Sequence, residues 1–172
     1  MSILFLIGMP GAGKSYWGKE LATAHQLPFI DLDGFIEMQE EMSIKDIFDT
    51  RGEKTFREIE RAALISIIYQ LTFPAIIACG GGTPMFYDNM QVMRVVGCVV
   101  YLKTPLPILI ERLQIAFQTR PLLNGPDPLQ ELLEQLYASR HEVYEQAQHI
   151  LPTENISLTT FDQIISSCIN RP

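Results

Sequence analysis

The stretch Gly8-Met9-Pro10-Gly11-Ala12-Gly13-Lys14-Ser15 satisfies G-x-x-x-x-G-K-[ST] at every fixed position. Those residue types suit a polyphosphate. Glycines let backbone N–H groups converge on phosphate oxygens, and a helix starting at the loop turns its positive end toward the same anion. Lys14 is placed to reach the β and γ phosphates and Ser15 to ligate Mg²⁺. The candidate nucleotide contacts therefore run through Gly11, Ala12, Gly13, Lys14, Ser15 and Tyr16.

Other chemistry-bearing residues lie downstream. Asp31 and Asp33 stand at i and i+2, so at the end of an extended segment their carboxylates share a face, where they could serve Mg²⁺ and a polar substrate. Capping of the next helix is an equally simple reason for Asp33. Arg57 and Glu60, three apart on a helix, form a ligand-binding pair or an ordinary solvated surface pair. Gly80-Gly81-Gly82 at a strand end implies close backbone approach to something, or else a flexible turn. Arg120 lies among turn formers in Gln118–Asp127, a segment that reads as a mobile loop, and Arg140 falls near the middle of a long helix.

The elements that must position these groups follow from the hydrophobic pattern. Ile3–Ile7, Leu27–Asp33, Ala75–Cys79, Gly97–Leu102 and Ile150–Pro152 read as strands. Between them, helices are expected at Tyr16–His25, Gly34–Glu41, Ser43–Phe48 (closed by Arg51-Gly52) and Glu53–Leu71. Further helices are expected at Tyr87–Arg94, Pro105–Phe117, Leu129–Gln148 and Thr160–Ile169. In the Leu129–Gln148 helix, Leu132, Leu133, Leu136, Val143 and Tyr144 are expected to make most of the buried stripe. Alternating strands and helices give an α/β fold with a parallel sheet, in one domain spanning residues 1–172.

At 172 residues, 47% of them hydrophobic and 19% charged, the chain has the balance of an ordinary globular protein. A net charge of −7 argues against a nucleic-acid partner held through phosphates. No apolar run is long enough to span a bilayer, and the apolar N-terminus lacks a basic flank and reads as a strand rather than a signal peptide. Cys79, Cys98 and Cys168 are odd in number, far apart and without metal-ligand spacing, so they are expected to be reduced thiols of a cytoplasmic protein.

Taken together, these blocks resemble the shikimate kinase family from Gly8 to about Tyr144. The resemblance rests on the phosphate loop and on Asp31-Leu32-Asp33 with Ile36-Glu37. It rests equally on Ser43-Ile44, Phe48, Gly52-Glu53, Phe56-Arg57 and Glu60, then Gly80-Gly81-Gly82, Arg120-Pro121-Leu122-Leu123, and Arg140 with Tyr144. It implies a P-loop kinase with a five-stranded parallel sheet of order 2-3-1-4-5, a shikimate-binding region at about 31–61 and a lid at about 113–126, working as a monomer on ATP and shikimate. The family's roles fall here on Asp33, Arg57, Gly80, Gly81, Gly82 and Arg140 for shikimate, and on Ser15 with Asp31, through water, for Mg²⁺. Lys14 and Arg120 would contact the transferred phosphoryl group, Glu60 would orient Arg57, and Asp33 would accept or orient the hydroxyl proton.

The family's arginine against adenine, seven residues before the lid arginine, is replaced here by Leu113, with Arg112 beside it. A gluconate kinase would share the phosphate loop but need a different acid-binding set. A silent nucleotide-binding module would lack Lys14, Asp33 or Arg120, and none is missing.

Overall fold

The computed structural model describes residues 3–118 and 128–169 and, within them, every side chain except those at 116–118, 128, 155 and 169. β1 (Ile3–Ile7) is buried at every position, as an all-apolar run flanked on both sides must be. It pairs in parallel with β3 (Ala75–Ala78) on one side and β4 (Gly97–Lys103) on the other. β2 (Phe29–Asp31) extends the sheet beyond β3 and β5 (His149–Pro152) beyond β4, giving the expected order β2-β3-β1-β4-β5. The registers Asp31↔Ala78, Leu6↔Ala78 and Ile7↔Tyr101 align the carboxyl ends of the central strands, and ligands of such sheets sit beyond those ends.

The helices are α1 (Lys14–His25), α2 (Leu32–Glu40), α3 (Ile44–Gln70), α4 (Asn89–Val96), α5 (Leu106–Gln118), α6 (Pro128–Tyr144) and α7 (Leu158–Ile169), with a short 3₁₀ turn at Thr83–Met85 before α4. α3 joins the two helices expected around Arg51-Gly52. Gly52 breaks it with φ 78° and ψ 165°, a conformation that glycine adopts without a Cβ penalty. The kink lets the second part of α3 carry Arg57 and Glu60 inward.

Three local expectations are corrected. β2 ends at Asp31, and Asp31 itself caps α2 by accepting from the Gly34 N–H at 3.4 Å, so Asp33 lies in the first helical turn rather than on the strand. Leu132 is 48% exposed while Leu133 is 1% exposed, because neighbouring helix positions point about 100° apart and only one can share the stripe of Tyr144. α6 stops at Tyr144, four residues early, where the Gln148 side chain is drawn back to β4 and accepts from the Val99 N–H at 2.8 Å.

The cysteine expectation is also corrected. Cys98 at the start of β4 and Cys168 near the end of α7 form a disulfide with their Cα atoms 5.8 Å apart. Seventy positions separate them in sequence, and only the return of α7 across the sheet brings them together. Their sulfurs lie near His149, but bonded to each other they offer no thiolate pair to a metal. Cys79 is a buried free thiol.

Candidate active site

The phosphate loop connects β1 to α1. α1 starts at Lys14 with Gly13 in the left-handed region and no capping side chain, whereas α3 is capped by Ser43, which accepts from the Asp46 N–H. The uncapped first turn of α1 leaves backbone donors for an anion. The Lys14 ammonium donates to the carbonyls of Gly8 and Met9, each at 2.9 Å, which folds it over the loop. Burial draws its pKa down to about 8, against the opposing pull of Asp33.

Beside it the Ser15 hydroxyl donates to the second carboxylate oxygen of Asp31 at 2.5 Å. Asp31 is thereby held from two sides, by Ser15 and by the first turn of α2. A hydroxyl and a carboxylate at this contact are hard oxygen donors of the kind Mg²⁺ takes, so the residues present fit that ion.

Asp33 faces the same cavity, of about 380 Å³, whose walls include Pro10, Lys14, Ser15, Asp31, Cys79 and Gly81. Its pKa is raised to about 6, first by burial and then by the negative charges of Asp31 and Glu60. A carboxyl tuned toward neutrality and lining a cavity is suited to hold or take a hydroxyl proton. Cys79 in the same wall has its thiol pushed well up by burial, so it stands there as an inert neutral group.

Arg57 and Glu60 are not a surface pair: they are 8% and 1% exposed. Arg57 Nη1 donates to Glu60 at 3.2 Å, while Nε and Nη2 donate to Glu53 at 3.3 and 3.0 Å. Three of the five guanidinium N–H groups are thus engaged, leaving one on each terminal nitrogen, the arrangement that receives a carboxylate in bidentate form. The group sits among Phe86, Phe56 and Phe48, with ring centroids 4.1, 5.0 and 5.6 Å from its central carbon. In the sequence Phe48 and Phe56 enter only through the family resemblance, with no role attached, and Phe86 carries no signal there.

The glycine run brings the second arginine to the first. A Cβ at Gly82 would stand 2.6 Å from Arg57 Nη1, and one at Gly81 would stand 3.1 Å from Arg140 Nη1. At Gly80 it would meet Asp33 Oδ1 at 2.8 Å. The absence of side chains therefore lets both guanidinium groups and the Asp33 carboxylate crowd onto one short segment of backbone. Tyr144, one turn after Arg140 on α6, donates its hydroxyl to the Gly81 carbonyl at 2.5 Å and so pins α6 to the run.

On the other side of the phosphate loop lies a second cavity of about 400 Å³, lined by Gly11, Gly13, Tyr16, Trp17, Arg112, Thr153 and Ile156. The guanidinium in this wall belongs to Arg112, whose Nη1 donates to the Gly11 carbonyl at 3.2 Å. Leu113 instead packs on the loop, with its Cγ 3.1 Å from where a Gly11 Cβ would be. The sequence assigns no residue to this side, since nothing in it fixes the rotation of α5. Arg120, Pro121, Leu122 and Leu123, together with most of the expected lid, lie outside the described residues.

The shikimate kinase family model matches residues 10–170. A curated shikimate kinase of Bacteroides thetaiotaomicron is 39% identical over 155 residues, covering 89% of this chain and 87% of that protein. Among solved structures, a shikimate kinase from Bacteroides thetaiotaomicron superposes with a TM-score of 0.84 at 37% identity, over 96% of this chain and 97% of that one. Shikimate kinase from Acinetobacter baumannii in complex with shikimate superposes with a TM-score of 0.83 at 28% identity, over 97% and 92% of the two chains.

Proposed function

This chain belongs to the shikimate kinase family, and from that premise we propose how its own residues carry out the transfer of the γ-phosphoryl group of ATP to the 3-hydroxyl of shikimate. It is an ATP:shikimate 3-phosphotransferase. The substrate carries one carboxylate and three hydroxyls, and the observation that supports this reading best is the approach of Arg57 and Arg140 to adjacent glycines, Gly82 and Gly81, above the cavity of Lys14 and Asp33. Two guanidinium groups of that disposition clamp a carboxylate. Asp33 accepts from a ring hydroxyl beside Gly80, and the run's backbone lies against the ring.

In the reaction the 3-oxygen attacks the γ-phosphorus in line, the bond to the β-bridging oxygen breaks to release ADP, and the hydroxyl proton passes to Asp33. Lys14 turns from its carbonyl partners on the loop to the β and γ oxygens, and Arg120 closes over the transferred group to hold water out. Ser15, and Asp31 through water, would hold Mg²⁺, which would neutralise charge on the phosphate oxygens. The adenine lies in the cavity of Arg112, Trp17 and Ile156, where a planar guanidinium gives a purine a face to stack on. The protein acts as one P-loop kinase domain, with residues 31–61 around shikimate and 113–126 as lid. We take the working unit to be a monomer, and size-exclusion chromatography with light scattering tests that. We place the enzyme in the cytoplasm because its co-substrate ATP is held there; separately, among the described residues no helix is long and apolar enough to cross a membrane.

A coupled assay offering shikimate, gluconate and nucleoside monophosphates in parallel tests the reading. ADP release that depends on shikimate alone is the expected result. Turnover of gluconate with none of shikimate would overturn it.

A further inference from the structure

The guanidinium of Arg57 is held by Glu53 at Nε and Nη2 and by Glu60 at Nη1, and the structure also shows what fixes Glu60. That carboxylate is buried, so each of its oxygens needs a donor. One oxygen takes Arg57 at 3.2 Å, and the other takes the Thr83 hydroxyl at 2.6 Å. Thr83 is wholly buried at the start of the 3₁₀ turn, directly after the glycine run, and its own N–H donates to the Gly80 carbonyl at 3.1 Å. Its carbonyl accepts from the side-chain amide of Asn89 at 2.8 Å, and Asn89, wholly buried, accepts in turn from Arg61 at 2.8 Å. Arg61 ends the chain at the surface in an ion pair with Asp88 at 2.6 Å.

We propose that Thr83 and Asn89 are positioning residues for substrate binding: through the buried relay Asn89–Thr83–Glu60 they set the orientation of the Arg57 fork and lock it to the glycine run it crosses. The physical reason lies in the torsional freedom of the glutamate. A carboxylate held by Arg57 alone can swing about its terminal torsion, and Nη1, which Glu53 on the Nε and Nη2 side does not hold, then loses its fixed partner. A second donor on the opposite oxygen removes that freedom. Because Thr83 is bonded both to Glu60 and to the backbone of Gly80, the guanidinium and the glycine backbone keep one spacing. Nothing in the relay touches the phosphate loop among the described contacts, so its effect falls on shikimate rather than on nucleotide.

The inference rests on Arg57 holding the substrate carboxylate, and the experiment separates the two. Thr83→Val keeps the shape and removes the hydroxyl, and Asn89→Ser shortens the amide without adding bulk. In Thr83→Val the KM for shikimate is expected to rise roughly tenfold, the scale of one lost charge-assisted hydrogen bond, with kcat and ADP affinity within about twofold. Asn89→Ser is expected to raise KM about threefold, since it acts one bond further away. Thr83→Ser restores the hydroxyl and the parent KM, a rescue that a merely space-filling threonine would not need.

Arg57→Lys is measured alongside. A KM that rises in Arg57→Lys but stays at the parent value in Thr83→Val and Asn89→Ser overturns the relay and leaves the clamp standing. A KM unmoved in all three overturns the clamp itself, and the relay with it. Should Thr83→Val fail to fold, Asn89→Ser decides alone, and ADP affinity falling in step with shikimate affinity overturns the proposal as general distortion.

Discussion

Asp33→Asn separates the cost of the active site from its use. In the metal-free protein the carboxyl is raised from an ordinary 3.8 to about 6, first by burial, then by the charges of Asp31 and Glu60, with Lys14 pulling the other way. At roughly 1.4 kcal/mol per pH unit, holding Asp33 ionised at pH 7 costs the fold about 3 kcal/mol. Asparagine keeps the shape and carries no charge, and because the shift to about 6 already includes the attraction to Lys14, the expected net gain is about 3 kcal/mol. The sign follows from linkage. A carboxyl with a raised folded pKa holds its proton more tightly when folded, so its contribution is favourable below pH 3.8 and is lost as pH rises through about 6. The advantage of the variant should therefore be largest at pH 7 and shrink toward pH 4. Urea unfolding with EDTA present, at several pH values between these limits, measures it, and a coupled assay should show turnover reduced on the order of 10²-fold. A variant less stable than its parent at pH 7, or more stable by the same margin at every pH, would refute the argument that this carboxylate is held ionised at a cost.

Lys14→Met should fold normally and lose on the order of 10²-fold or more in turnover, because the methylenes remain and the charge on the β and γ oxygens does not. With Lys14 drawn down to about 8, kcat/KM for ATP in the parent should decline as pH rises through that value, and a flat profile from pH 7 to 9 would contradict it. Arg57→Lys and Arg140→Lys should each weaken shikimate binding by roughly 1.5–3 kcal/mol in calorimetric titrations while ADP binding holds, since a lysine keeps the charge and loses the fork. Arg112→Ala should raise the KM for ATP by roughly threefold to tenfold and leave shikimate affinity alone, and the reverse pattern would remove adenine from the Arg112 cavity. Arg120→Ala should lower turnover with shikimate affinity unchanged by calorimetry, because a lid arginine acts on charge that develops during transfer.

What the sequence by itself determined is local in origin. The phosphate loop, the all-apolar β1 and the alternation of strands with helices depend on spacing within a few residues, and they were enough for the parallel sheet and the turn of the phosphate loop, while the strand order followed from the family resemblance. The break in α3 that follows Arg51 was legible for the same reason, since Gly52 takes a backbone conformation that most side chains disfavour. Tertiary structure decided everything that depends on which face turns inward. Arg57 and Glu60, three apart, look like any solvated helical pair until the packing of α3 buries them beneath the glycine run. The rotation of α5 gives the cavity of Trp17 and Ile156 its Arg112 and sets Leu113 on the phosphate loop, a choice of about 100° that no neighbouring residue encodes. Cys98 with Cys168, and Thr83 with Glu60, meet only because strands and helices distant in sequence return to the same place, where the free energy of burying one group depends on a partner that the local sequence does not contain.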